Sequence, residues 1–342
     1  MFMSHVKRFT AIAILLLAAA LLTLPALAQG GEVIVDGLNN PRGLSYAEDG
    51  TLYVAEAGTG GPQNALGPFD SEVTVGGTGR VTAVSPDGTV TAVVNALPSM
   101  NNRNNYGPQD AGMAGGLLWV VVGEGPESVP FNMSFFGLDP ETGRVRHFVD
   151  LYTPEAEQNP DGDIIASQPV DFTVGPDGAV YIANAGCNCV MRWTEADGAT
   201  IFASWPIDDN PVPTAVAFGP EGDLYVGFLS GFPFPEGGAR IERWTLDGEL
   251  VATFEGLTAV TGLLVADDGT IYAVEHGRFA DRGWAPDSGR VVAVTADGIT
   301  PIAEGLSRPY GIAQAADGSF AVSINSDGGE PGSGMVIRIG GM

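Results

Sequence analysis

Short runs of apolar, β-branched and aromatic residues recur along most of this chain between polar positions, and nearly every run closes on a glycine-bearing turn. Runs of that length and composition predict strands, and the turns predict hairpins. The same hairpin recurs as RGLSYAEDGTLYVAEAG (42–58), VDFTVGPDGAVYIANAG (170–186), TAVAFGPEGDLYVGFLS (214–230), TGLLVADDGTIYAVEHG (261–277) and YGIAQAADGSFAVSINS (310–326). A degenerate copy, QDAGMAGGLLWVVVGEG, occupies 109–125. In each, an apolar strand meets an Asp-Gly, Glu-Gly or Gly-Gly turn and returns as a β-branched and aromatic strand. A second hairpin follows in most copies, at 79–94, 190–205, 239–254 and 289–304.

Four strands per unit, with Gly222, Gly269 and Gly318 spaced by 47 and 49 residues, is the pattern of propeller blades. The spacing predicts an all-β, six-bladed β-propeller. The sixth unit has only three strands, ending at MVIRI (335–339), while EVIVDGL (32–38) stands alone before the first. The N-terminal strand is therefore expected to complete the last blade and remove its open edge. Turns after strands one and three are uniformly short. The long inserts, 57–78, 123–134, 150–168, 228–238, 275–288 and 325–334, all fall on the opposite face, where function is usually placed.

Composition adds a compartment. Lys7 and Arg8 precede the apolar run Phe9 to Leu22, and Ala26-Leu27-Ala28 supplies small residues, the layout of a secretory signal peptide cleaved after Ala28. Residues 29–342 would then form one domain, secreted or periplasmic. Without Lys7 and Arg8 the 15 basic residues fall to 13 arginines against 41 acids, a net charge of −28. So acidic a surface disfavours nucleic acid and anionic membrane as partners. Lys7 is the sole lysine, which excludes lysine Schiff-base chemistry from the mature chain.

The segments GLNNPRGLSYAEDGTLYVAEAGTGG (37–61), NPDG (159–162) and PTAVAFGPEGDLYVGFLSGFPFPEGGARI (213–241) resemble the ScyD/ScyE family, exported bacterial relatives of the NHL-type and TolB-like propellers first noted in gene sets for the pigment scytonemin. The resemblance covers essentially the whole mature chain, and GFPFP is its most specific element. It implies an exported six-bladed propeller without a defined molecular activity, and does not imply that scytonemin is made.

Four sets of residues carry candidate chemistry. Glu56, Glu124, Asn184, Glu275 and Asn325 close strand two of successive blades, and Asp110 and Asp171 open inner strands. Oxygen ligands of these types at one channel mouth suit Ca²⁺, and the residue types, though no ligand motif, resemble calcium-dependent lactonases and gluconolactonase-like hydrolases. The alternative is that they cap backbone groups at strand ends. Of the histidines that follow residue 28, His147 falls in an outermost strand, so His276 is the one imidazole placed to act as a hydrolytic base; a solvated surface histidine is the other reading. No G-x-S-x-G or H-E-x-x-H motif occurs, which leaves a serine-hydrolase elbow and a thermolysin-like zinc site without support. Cys187 and Cys189 can close as a local disulfide or remain thiols. Finally Phe69, Phe131, Phe232, Phe234, Phe279 and Trp284 lie in long inserts of one face, with Pro233 and Pro235 stiffening their loop. Such rings suit an apolar or aromatic small molecule or an exported protein; packing against one another is the alternative. The Asn-rich stretch 99–108 reads as turn chemistry.

Overall fold

Each predicted hairpin forms. In the computed structural model, which describes residues 31–67, 70–102, 104–280 and 283–340, six antiparallel blade sheets follow one another along the chain, five of four strands and the first enlarged to six by Gln63–Leu66 and Asn104–Tyr106. The first is built from Pro41–Tyr46, Leu52–Glu56, Glu72–Val84 and Val90–Asn102, and the second from Pro108–Ala114, Leu117–Val122, Ser134–Leu138 and Val145–Asp150. Pro169–Val174, Val180–Asn184, Cys189–Thr194 and Gly198–Ser204 form the third; Pro213–Phe218, Leu224–Phe228, Ala239–Trp244 and Leu250–Leu257 form the fourth. Val260–Val265, Ile271–Glu275, Gly289–Thr295 and Gly298–Leu306 make the fifth. The sixth takes Ile312–Gln314, Phe320–Ile324 and Gly334–Ile339 from the C-terminal end and Glu32–Leu38 from the N-terminal end, with Val33 opposite Ile337 and Leu38 opposite Gly334. The proposed signal peptide lies outside the described residues, as does Phe69. No helix among the described residues is long and apolar enough to cross a membrane.

The short turns share one geometry because their chemistry is local. Gly50, Gly88, Gly222, Gly248, Gly269 and Gly318 all sit at φ between 82 and 84°, a region L-residues avoid. Beside them Asp49, Asp87, Asp268 and Asp317 accept the backbone N–H two residues on, at 2.9 to 3.0 Å, and this bond, second at Asp317 to the one from the Ser319 hydroxyl, holds each carboxyl below its ordinary range.

A sheet packed on both faces needs apolar side chains on both, so the strands read as near-continuous hydrophobic runs. In Leu117–Val122, Leu118, Val120 and Val122 pack toward the first blade, while Trp119 and Val121 pack toward the third. Phe136 and Phe135 divide in the same way. Each of the six blade junctions has its own buried cluster. The one closing the ring joins Val35, Leu38, Ala321 and Val336 to Leu44, Leu52 and Val54.

The Asn-rich stretch folds back on itself as a tight hairpin, with Met100 opposite Tyr106, Asn101 opposite Asn105 and Asn102 opposite Asn104, the Asn101 and Asn105 side-chain amides hydrogen-bonded to each other.

Candidate functional site

Each innermost strand is entered through a three-residue step: Pro41-Arg42-Gly43, Pro108-Gln109-Asp110, Pro169-Val170-Asp171, Pro213-Thr214-Ala215, Val260-Thr261-Gly262 and Pro309-Tyr310-Gly311. In five blades the ladder shifts register there, a bulge that re-aims side chains. The third position must be small or short because the strands converge on the axis: a Cβ on Gly262 would lie 2.5 Å from the Tyr310 carbonyl oxygen, and one on Gly43 would lie 2.2 Å from Asp110 Oδ1. Where it is not glycine or alanine it is aspartate, so the repeated step in the sequence is the signal that places both acids at the axis.

Asp110 and Asp171 stand side by side in the channel, close enough for each carboxyl to act on the other's ionisation. Asp171 also accepts the amides of Val216 at 2.8 Å and Phe172 at 2.9 Å. Burial raises both: Asp110 to about 6, and Asp171 well above the carboxylate range with the Asp110 charge adding to burial. The pair therefore shares a proton near neutrality. It stands at one end of an axial cavity of about 300 Å³ that continues along the inner strands past Phe172 and Thr173 to Phe218 and Val265.

Above the pair the second positions of the entry steps form a polar plug. Tyr310 Oη donates to Gln109 Oε1 at 3.3 Å, and the Arg42 guanidinium lies 4.8 Å from the Tyr310 ring centre. Arg42 Nη2 donates to the Asn105 carbonyl at 2.7 Å and contacts Asp327 Oδ1 at 3.4 Å. His276 belongs to this plug and is not a surface histidine: it is 4 % exposed. Its Nδ1 is 2.9 Å from the Pro309 carbonyl oxygen; a carbonyl only accepts, so Nδ1 carries the proton. Burial lowers its pKa to about 4, so the ring is neutral at pH 7. It does not line the axial cavity. His147 lies in the outermost strand of its blade, stacked on Trp119.

The seven oxygen-bearing residues read as one mouth do not assemble there. Asp110 and Asp171 come together; the others serve their own blades. Glu56 accepts the Asn39 amide at 2.7 Å and Arg80 Nε at 2.6 Å, Glu275 accepts the Thr258 amide at 2.8 Å and pairs with Arg290, and Asn184 accepts the Gln168 amide at 2.8 Å. These three tie the end of strand two to the chain entering the same blade, the backbone-capping role. Asn325 donates to the Ser333 carbonyl at 2.9 Å. Glu124 faces a separate cavity of about 460 Å³ with Tyr152, Ile164 and Ile165, and burial raises it to about 7. No group of three or more His, Cys, Asp or Glu placed to hold an ion occurs among the described residues, so no chemical step is assigned to a metal at this mouth.

The loop aromatics divide into two groups. Phe131 packs on Phe136 and Phe148 beside the second blade, ring centres 5.1 and 5.4 Å away. Phe232, Phe234, Phe279 and Trp284 instead form one ridge across the fourth and fifth blades. Phe234 touches Phe232 at 5.9 Å, Phe279 at 5.2 Å and Trp284 at 5.1 Å, and Trp284 leans on His276 at 4.7 Å. The ridge thus runs from the buried plug out to Phe232, which is 75 % exposed. Beside it lies a cavity of about 350 Å³ walled by Phe228, Phe232, Pro233, Pro235 and Arg240. Ser230 also lines it, with φ 69° and a buried Oγ that has no hydrogen-bond partner. Arg240 is held over the Phe228 ring at 4.8 Å by Asp209 and Glu242.

Cys187 and Cys189 form a disulfide with Cα atoms 5.2 Å apart, buried against the second blade. Between them Asn188 donates to Asp161 at 3.1 Å and accepts the Val212 amide at 3.1 Å.

Against known proteins, no family model matches the chain and no curated protein matches it. Solved structures do. A gluconolactonase of Xanthomonas campestris is 13 % identical with a TM-score of 0.56, covering 90 % of this chain and 88 % of its own. The calcium-binding protein regucalcin of Agrobacterium tumefaciens is 14 % identical with a TM-score of 0.55, covering 91 % and 95 %. Virginiamycin B lyase of Staphylococcus aureus is 12 % identical with a TM-score of 0.52, covering 90 % and 97 %. At such identities the likeness is one of fold, and the fold is an all-β, six-bladed β-propeller closed by its N-terminal strand.

Proposed function

We propose that this protein is an exported binding propeller of the ScyD/ScyE type that takes an aromatic small molecule on its long-loop face. One observation carries the reading: the Phe232–Phe234–Phe279–Trp284 ridge leaves Phe232 75 % exposed beside a cavity lined by Ser230, whose buried hydroxyl has no partner. Rings already packed edge to face lose little freedom when a further ring joins them. Ser230 asks for a ligand that also bears a hydrogen-bonding group, because a buried hydroxyl left unpaired is costly. A backbone strained into positive φ at a non-glycine residue is the kind of outlier that clusters at ligand sites. A panel of aromatic hydroxy compounds titrated against Trp fluorescence tests this. Saturable quenching in the wild type that is lost in the Phe232→Ala/Phe234→Ala double variant, with circular dichroism unchanged, is expected. Equal binding by the two proteins, or no binding to the wild type beside stable capture of an exported protein, overturns it.

A second reading, a calcium-dependent lactonase or gluconolactonase-like hydrolase, is favoured by the proton-sharing Asp110–Asp171 pair at the end of the axial cavity. In it this pair, rather than the buried His276, would move the proton. Turnover of lactones or aryl esters that disappears in Asp171→Asn supports it; absence of turnover with and without added calcium removes it.

A further inference from the structure

The segment linking the second and third blades holds a charge that its surroundings leave unanswered. Thr153–Gln158 forms one short helix, capped by Asn159 in the left-handed region, whose amide donates to the Glu155 carbonyl at 2.7 Å. Glu155 is fully buried, yet neither carboxylate oxygen has a hydrogen-bond partner; the Ala166 amide approaches it without reaching hydrogen-bond geometry. Asp161, 6 % exposed, is set beside it. Its position is enforced from three sides: Oδ1 accepts the Asp163 amide at 3.0 Å, Oδ2 accepts Asn188 Nδ2 at 3.1 Å, and its carbonyl accepts the Ile207 amide at 3.2 Å. Among the described residues no arginine pairs with either acid.

Burial, and then the nearby Asp161, push Glu155 up to about 7. Protonation would remove the charge, but it leaves a buried hydroxyl without an acceptor and a carbonyl oxygen without a donor. A cation satisfies both oxygens at once and turns the repulsion between the two acids into shared attraction. Oxygen-bearing side chains also alternate along Asn159, Asp161 and Asp163, a spacing that hard-cation loops use.

We propose that Glu155 and Asp161 hold a divalent cation of the calcium type, with backbone and water oxygens completing its shell, and that this ion locks the linker between the second and third blades. The site is distinct from the axial Asp110–Asp171 pair and independent of the aromatic ridge.

The test uses the full mature chain, stripped with a chelator and titrated with CaCl₂ by calorimetry, with thermal unfolding in parallel. Expected are one calcium per chain and a melting temperature several degrees higher with calcium than with chelator. Glu155→Gln should weaken binding by roughly 100-fold, Asp161→Asn should weaken it, and Asp110→Asn should leave it intact. The proposal fails if calcium neither binds nor shifts the wild-type melting temperature, if Glu155→Gln binds as the wild type does, or if only Asp110→Asn loses the ion. Should Glu155→Gln not fold, Asp161→Asn decides: undiminished affinity in that variant overturns the site.

Discussion

The Arg42 guanidinium lies 4.8 Å from the centre of the Tyr310 ring, although 268 residues separate the two in sequence. Through that contact, the hydrogen bond to Asn105 and the contact with Asp327, one side chain from the first blade ties the end of that blade's sheet to the sixth blade. Burial and the surrounding acids push the Tyr310 hydroxyl up to about 12, so it remains a donor across the ordinary pH range.

Arg42→Lys should therefore behave as a disruptive change. Lysine keeps the charge but cannot lie flat on the ring while donating sideways to a carbonyl. A loss of about 3 kcal/mol is expected, read as a lower midpoint in urea. A midpoint within error of the wild type would show that the stack contributes nothing.

The Asp110–Asp171 pair makes a pH prediction whose sign follows from the raised folded values. A carboxyl raised on folding contributes stability that is complete below the unfolded value near 4 and is lost as pH rises through the folded value, here about 6 for Asp110. Ionising the buried Asp110 costs the folded state on the order of 3 kcal/mol at neutral pH. His276 runs the opposite way: lowered from 6.5 to about 4, it favours the fold above pH 6.5 and weakens it as pH falls toward 4. Asp110→Asn, which imitates the protonated partner, should gain on the wild type as pH rises from 4 to about 6 and keep that advantage above it. Unfolding free energies at intervals across that range check this, and a difference that does not vary with pH would mean that no proton is shared.

Removal of residues 32–38 should lower the melting temperature of the whole ring in one transition. The strand covers Gly334–Ile339 and buries Val35 and Leu38 in the closing junction. Without it the sixth blade presents an open edge, and concentration-dependent aggregation is expected alongside the loss. Light scattering during a thermal ramp measures both effects.

Two phenylalanines close in sequence should respond oppositely. Phe228 is 1 % exposed and packs on Trp205 at 4.9 Å, so Phe228→Ala should cost about 3–5 kcal/mol. Phe232, largely in solvent, should tolerate alanine within about 0.5 kcal/mol. A large loss on Phe232→Ala would assign the ridge to packing instead of binding.

The turn glycines offer a purely conformational test. Gly269 has φ 84° and nothing within 4 Å of an added Cβ, so Gly269→Ala should cost about 1 kcal/mol by backbone strain alone. Chemical denaturation of the variant measures it directly.

Strand order, blade number, ring closure by 32–38 and the plain turn face were all legible in the chain, because Asp-Gly turns and short apolar runs act over a few neighbours and repeat six times. The exposed ridge was half legible: Phe-Pro pairs announce a displayed loop, but only packing brought Phe279 and Trp284 to Phe234 and sent Phe131 elsewhere. The channel was less so. Asp110 and Asp171 stood out as acids at inner strands, yet that they share a proton, that Glu56, Asn184 and Glu275 cap their own blades, and that His276 is buried beneath Trp284 and beside Pro309 depend on which strands converge at the axis. Charge state and burial are set by neighbours distant in sequence, whereas hairpins are set by neighbours next door. For this protein the local pattern determined the ring, and the closing of the ring decided its chemistry.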